Sequence, residues 1–197
     1  CMGLCDKAPA CEVGHNHLVN FSVEDVEKAV LKNEVHPKEV GGIDFENYCA
    51  EGGYKILRQC YDGKLSVQNV IDELDKSGLK GMGGAGFPSG QKWKFVRMEK
   101  GPRLMTINGD EGEPGTFKDK LYLETNIHKF FEGMLIASWA VEAKKIYIYM
   151  RDEYPGIIKK MKKELIKLEE SNILSKETKI FIRRGAGAYI CGEESAM

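Results

Sequence analysis

Three stretches and one cysteine pair carry the residue types that could do chemistry. The first is residues 78–95, GLKGMGGAGFPSGQKWKF, with six glycines, one proline and three aromatics. Glycine lets backbone amides approach a ligand closely and visits positive φ at little steric cost. Lys92, just past the glycines, can meet an anion. Flexible linkers are rich in Gly and Ser and poor in aromatics, whereas this stretch holds Phe87, Trp93 and Phe95. It reads as a nucleotide loop. The second stretch is residues 108–116, NGDEGEPGT, with the carboxylates Asp110, Glu111 and Glu113. The third is residues 185–194, GAGAYICGEE, which ends in Glu193 and Glu194. Carboxylates suit hydroxyl and amide N–H groups, such as those of ribose, ribityl or a nicotinamide carboxamide. They suit phosphate only where Lys92 or Mg²⁺ intervenes.

Cys1 and Cys5 are spaced C-x3-C. One pair cannot fill a four-thiolate site. Either two ligands lie upstream, or Cys11, His15 and His17 complete a zinc set. A hairpin turn through VGHNHLVNF is the preferred reading for the two histidines. Cys191 has no histidine nearby in sequence and reads as a packed residue rather than a nucleophile.

The elements that must hold these stretches alternate. SVEDVEKAVLK (22–32) reads as a helix with Ser22 as N-cap. NEVHPKEVGG (33–42) has no period and reads as a linker. Residues 45–60 are helical in pattern but broken at Gly52–Gly53. In 66–77, Val67, Val70, Ile71 and Leu74 mark a helix, closed by Gly78. Strands follow at 103–107, 145–150 and 179–183, with helices at 126–141 and 154–170 between them. Phe130, Met134 and Ala137 are expected on one face of the first of these helices, and residues 185–194 are expected to lead into another.

This order implies a parallel sheet with right-handed crossovers. Ligands bind beyond the carboxyl ends of such strands, so the loops after Ile107 and Arg183 should share one rim. Gly81, Gly83 and Gly86 satisfy G-x-G-x-x-G, but they follow a helix instead of a strand. That context excludes an ordinary Rossmann dinucleotide fingerprint.

The charge balance, 29 basic against 30 acidic residues, gives no electrostatic reason to propose nucleic acid or an anionic membrane as partner. No apolar run is long enough for a membrane span, and no segment reads as a signal peptide. The 197 residues suffice for one full domain plus part of another. Starting at Cys1 and stopping at Met197, the chain reads as a fragment missing both ends. The clustered cysteines point to a metal or iron–sulfur centre more than to a disulfide scaffold.

GLKGMGGAGFPSGQKW, NGDEGEPGTFKD and RRGAGAYICGEES, in this order, resemble the FMN-carrying, NADH-oxidising subunits of respiratory complex I, NAD-reducing hydrogenases and NAD-dependent formate dehydrogenases. EGEPGTFKDKLYLE, IYIYMRDEY and RRGAGAYICGEESAM look most similar to the formate dehydrogenase beta subunit. The resemblance implies an α/β fold with a Rossmann-like parallel sheet and helices on both faces. Before it would come the C-terminal part of a thioredoxin-like 2Fe–2S domain (1–33) and a linker (34–43). The FMN/NADH domain (44–197) would be truncated at its C-terminus. For FMN the resemblance implies Gly81, Gly83, Lys92, Asn108, Asp110, Glu111, Tyr189, Gly192, Glu193 and Glu194. For NADH it implies Phe87, Phe95 and Glu113, and for half of a 2Fe–2S cluster Cys1 and Cys5. No side chain is implied as catalytic acid or base, because the flavin carries the chemistry. Met82 stands where many members have arginine. Also implied are a 4Fe–4S cluster beyond Met197, other subunits of a multisubunit oxidoreductase as partners, and a cytoplasmic location, peripheral to the membrane through those partners and without direct insertion.

Overall fold

In the computed structural model, which describes residues 2–197, strands β3 (Arg103–Gly109), β4 (Ala143–Met150) and β5 (Lys179–Arg184) form one parallel sheet in that order. Ile107 pairs with Ile148, and Ile148 with Ile182. Side chains alternate across a strand. Ile146, Ile148 and Met150 therefore share one face with Met105, Ile107, Ile180 and Ile182, and that face joins the core. It is covered by α7 (Ile127–Val141) and α8 (Pro155–Glu170), through Ile127, Phe131 and Leu135 on one helix and Ile157, Met161 and Leu168 on the other. On α7 the inward stripe is set by Ile127, Phe131 and Leu135 as well as Met134; Phe130 and Ala137 flank it, half-buried.

The N-terminal part is a hairpin, β1 (Ala10–Val13) and β2 (Asn16–Val19), followed by α1 (Val23–Leu31). Ser22 and Asp25 form a reciprocal capping box at the start of α1. His15 falls in the turn and His17 on β2, so the hairpin reading is the one observed. Cys11 faces Leu18 across the ribbon, and Glu12 faces His17. Cys11 and His17 thus lie on opposite faces, and among the described residues no group of three or more His, Cys, Asp or Glu is placed to hold a metal ion. Cys1 lies outside the described residues.

Residues 34–43 have no regular structure, yet they are bound along their length. His15 N–H donates to the Val35 carbonyl (2.7 Å), Ile43 N–H to Thr125 (2.9 Å), and the Lys160 ammonium to Gly41 and Glu124. The helix broken at Gly52–Gly53 is α2 (Phe45–Ala50) and α3 (Lys55–Tyr61). A Cβ on Gly53 would run into the Tyr48 ring, so only glycine allows this turn.

α4 (Val67–Ser77) ends at Gly78 with φ +66°, the left-handed cap expected of glycine. The following loop is shorter than its composition suggested. Residues 89–98 form α5 (Ser89–Met98), which puts Lys92, Trp93 and Phe95 on a helix. Gly90 lies where α5 crosses α4; a Cβ there would meet the Asp75 carboxylate and lie 3.1 Å from the Ile71 carbonyl. A short helix, α6 (Lys118–Thr125), was not legible in the sequence. Its Leu121 and Tyr122 point outward and Lys120 is buried, the reverse of an amphipathic pattern. Residues 189–192 form a single 3₁₀ turn within the third stretch.

Beneath α7 lies a buried polar chain. Tyr54 Oη meets His128 Nδ1 at 2.8 Å, and His128 Nε2 meets Glu164 Oε2 at 3.0 Å. One neutral tautomer satisfies both, with Nε2–H donating to Glu164 and Nδ1 accepting from Tyr54. Burial holds the His128 imidazole below its ordinary value, against the pull of Glu164 and with Lys167 and Lys160 adding to the depression. The unfolded chain therefore binds this proton more readily than the fold does. Stability from this group is complete above about pH 6.5 and falls as pH drops below it, by at most ~1.4 kcal/mol per pH unit. Denaturation midpoints at pH 7.5 and 5.5 should differ more in the parent protein than in His128→Gln.

Candidate flavin and nucleotide site

The second and third stretches meet at the carboxyl edge of the sheet. From β5 the chain turns over the end of β4, where Gly185 N–H donates to the Met150 carbonyl (2.7 Å). It then reaches the loop after β3. The Asn108 amide donates to the Gly192 carbonyl (2.7 Å), while its oxygen accepts from Asp110 N–H (3.0 Å). Tyr189 Oη donates to the Glu113 carboxylate at 2.6 Å, which raises the phenol above its ordinary range. Gly192 is required here, because a Cβ would stand 2.9 Å from the Asp110 carbonyl. Cys191 is buried under the turn against the Tyr149 hydroxyl, as expected of a packed thiol.

The carboxylates at this edge divide by role. Glu111 is 4% exposed. It accepts from Asp119 N–H (2.9 Å) and Lys120 N–H (3.1 Å) at the start of α6, and from Tyr154 Oη (3.1 Å). Its side chain thus holds the loop to the helix and does not face the rim. Glu193 folds back onto the Ser195 hydroxyl and N–H, which lower its pKa. Asp110, Glu113 and Glu194 remain at or near the surface. Burial raises the Asp110 carboxyl, and Arg151 opposes that rise.

The glycine stretch is a separate feature. Gly81 N–H donates to the Phe87 carbonyl and Ser89 N–H to Leu79, both at 2.9 Å, closing residues 81–87 into a loop. A Cβ on Gly83, Gly84 or Gly86 would meet nothing within 4 Å, so this backbone faces open space. The N-terminus of α5 has no side-chain cap, and free helix amides attract anions. Lys92 is exposed one turn in, with no salt bridge among the described residues. Phe87 and Phe95 sit together, ring centroids 6.1 Å apart, at 44% and 56% exposure. Such a set fits a phosphate beside a planar base. No hydrogen bond or salt bridge among the described residues joins this loop to the two rim loops.

A cavity of about 420 Å³ opens beside Asn108, floored by Ile107, Ile148 and Met150 and walled by Tyr122, Lys129 and Phe130. Its size is that of a small-ligand pocket. The sequence reading missed its walls because they stand on α6 and the first turn of α7, and α6 carries no periodic signal. Near the N-terminus, Cys5 opens an exposed 3₁₀ turn (Cys5–Lys7). Among the described residues no helix is long and apolar enough to cross a membrane.

The chain is 42% identical over 175 residues to the NADH-quinone oxidoreductase subunit designated F in Aquifex aeolicus, covering 85% of this chain and 40% of that protein. It is 36% identical over 161 residues to the same subunit of Escherichia coli K12, covering 77% and 36%. The chain thus spans about two fifths of the length of the curated relatives it matches. A crystal structure of NAD⁺-reducing [NiFe]-hydrogenase in the H₂-reduced state superposes with a TM-score of 0.78 at 27% identity, over 99% of this chain and 36% of that one. Residues 74–197, which hold all three loops, match the family model described as the Nuo51 FMN-binding domain, and the chain belongs to that family.

Proposed function

We propose that this chain is the FMN- and NADH-binding part of an NADH-oxidising flavoprotein subunit. The observation that carries the reading is the pair of contacts, Asn108 to Gly192 and Tyr189 to Glu113, that makes one wall of two loops at the sheet edge. FMN, when bound, supplies hydride exchange with NAD(H) and one-electron transfer. The chain's own residues bind and orient. Lys92, the α5 amides and the backbone at Gly81 and Gly83 would hold phosphate. Asn108, Asp110, Tyr189, Gly192, Glu193 and Glu194 would hold the flavin from the rim, with Glu111 acting through the loop it braces. Phe87 and Phe95 would stack on adenine, and Glu113 would meet the nicotinamide nucleotide. Cys1 and Cys5 would supply half of a 2Fe–2S cluster, within an N-terminal unit (1–33) that precedes the linker (34–43) and the FMN domain (44–197). A 4Fe–4S cluster would belong to a further part of the subunit.

As electron partner we propose an NAD-dependent formate dehydrogenase, on the wording of EGEPGTFKDKLYLE and RRGAGAYICGEESAM. A second reading, a subunit of an NADH-quinone oxidoreductase, is favoured by the 42% identity to the Aquifex protein. The complete subunit, reconstituted with FMN, should show flavin absorbance and reduce ferricyanide with NADH; absence of both overturns the proposal. Glu113→Gln should raise the KM for NADH about tenfold, the loss of one charge-assisted hydrogen bond. FMN content should stay near that of the parent protein, and equal loss of both would remove Glu113 from the NADH site.

A further inference from the structure

Away from the rim, a buried polar chain runs from the cysteine loop to the acidic loop. Lys120 is 8% exposed, and its ammonium donates to the Gly3 carbonyl at 2.8 Å. Its backbone N–H donates to Glu111 Oε2 at 3.1 Å, and Tyr154, 3% exposed, donates to the same oxygen at 3.1 Å. The Tyr154 ring lies directly under Gly3. A Cβ at Gly3 would stand 2.8 Å from the Tyr154 hydroxyl, and the residue has φ +63°. Arg151 stacks 4.8 Å over the same ring and donates to the Glu111 carbonyl.

A lysine is a costly choice for this place. Burying an ammonium hydrogen-bonded to one carbonyl carries a desolvation cost that the charges of Glu124, Asp6 and Glu111 offset only in part, and an apolar side chain of similar length would avoid it. What the lysine gains is register. From 117 residues along the chain, Lys120 fixes one carbonyl of the cysteine loop, that of Gly3, relative to the Glu111 carboxylate of the rim loop. Tyr154 does the same from below, touching Gly3 with its ring and Glu111 with its hydroxyl.

We propose that Lys120 and Tyr154 are positioning residues that form a strut, holding the cysteine loop and the acidic rim loop as one unit. Loosening the strut at residue 3 then weakens flavin retention at the rim, although neither side chain reaches the rim itself. This rests on the proposed flavin role of the acidic loop.

The test uses the complete subunit with Lys120→Met and, as a milder change, Tyr154→Phe. Amide hydrogen exchange is followed in segments 2–8, 110–117 and β4, and the FMN dissociation constant is measured by flavin fluorescence. In Lys120→Met, exchange should rise about tenfold in both 2–8 and 110–117 while β4 stays protected, as for local opening. The FMN dissociation constant should rise several-fold, and Tyr154→Phe should move the same readouts less. Faster exchange in 2–8 alone, with 110–117 and FMN affinity unchanged, overturns the strut. Equal loss of protection in β4 overturns it too, since the effect is then global. If Lys120→Met does not fold, Tyr154→Phe decides by the same two readouts. A parent protein that binds no FMN would sink the flavin reading, while the exchange pattern still decides the strut.

Discussion

Lys92→Ala should lower FMN affinity by about ten- to a hundredfold. The ammonium stands exposed beside the uncapped start of α5, one turn from a glycine loop whose backbone faces open space. A hydrogen bond to a charged group contributes about 1.5–3 kcal/mol, and 1.4 kcal/mol is a factor of ten in affinity. Because Lys92 is surface-exposed, the thermal midpoint of the flavin-free protein should stay within about 2 °C of the parent, as surface changes are within ~0.5 kcal/mol. Flavin released on dilution gives the affinity. A variant that keeps its full flavin complement would remove Lys92 from the phosphate contacts.

The largest loss of stability is expected from Glu132→Ala. This carboxylate, 8% exposed, accepts from Tyr48 Oη at 2.6 Å, Tyr54 N–H at 2.8 Å and Leu57 N–H at 3.3 Å. It thereby serves the uncapped start of α3, where Tyr54 has φ +61° and no side-chain cap. Alanine would leave three donors buried without an acceptor, each costing on the order of 1–3 kcal/mol. With partial relaxation the sum is about 3–5 kcal/mol, or roughly 10 °C in the midpoint for a chain of this size. Tyr48→Phe removes one donor and keeps the packing, and it should cost about 1 kcal/mol. A midpoint for Glu132→Ala within about 2 °C of the parent would show that water replaces the carboxylate.

The sheet was legible because its strands are short apolar runs, such as KIYIYM, with one helix of clear pattern expected in each gap, at 126–141 and 154–170. The meeting of two loops on one rim followed from strand polarity alone. The partners within that rim did not. Asn108 finds the Gly192 carbonyl, and Glu111 turns inward to cap α6, which no spacing rule reports. α6 was missed because Lys120 is buried and Tyr122 exposed, so tertiary contacts override its pattern. α5 was read as loop because Gly90 lowers helix propensity. That glycine is there for a helix crossing, which only the packed structure displays.

The contacts that close the rim wall span 84 and 76 residues of chain. Between them lie α6, α7, β4, α8 and β5, all of which must be in place before Asn108 can reach Gly192. Contacts so distant in sequence form late, because the intervening chain must be ordered first. The wall is therefore absent from every partly folded form in which β5 has not yet joined the sheet. On the proposed flavin role, cofactor loading would then serve as an inspection of the finished product, since a chain stalled before the last crossover would offer the flavin only a loose acidic loop.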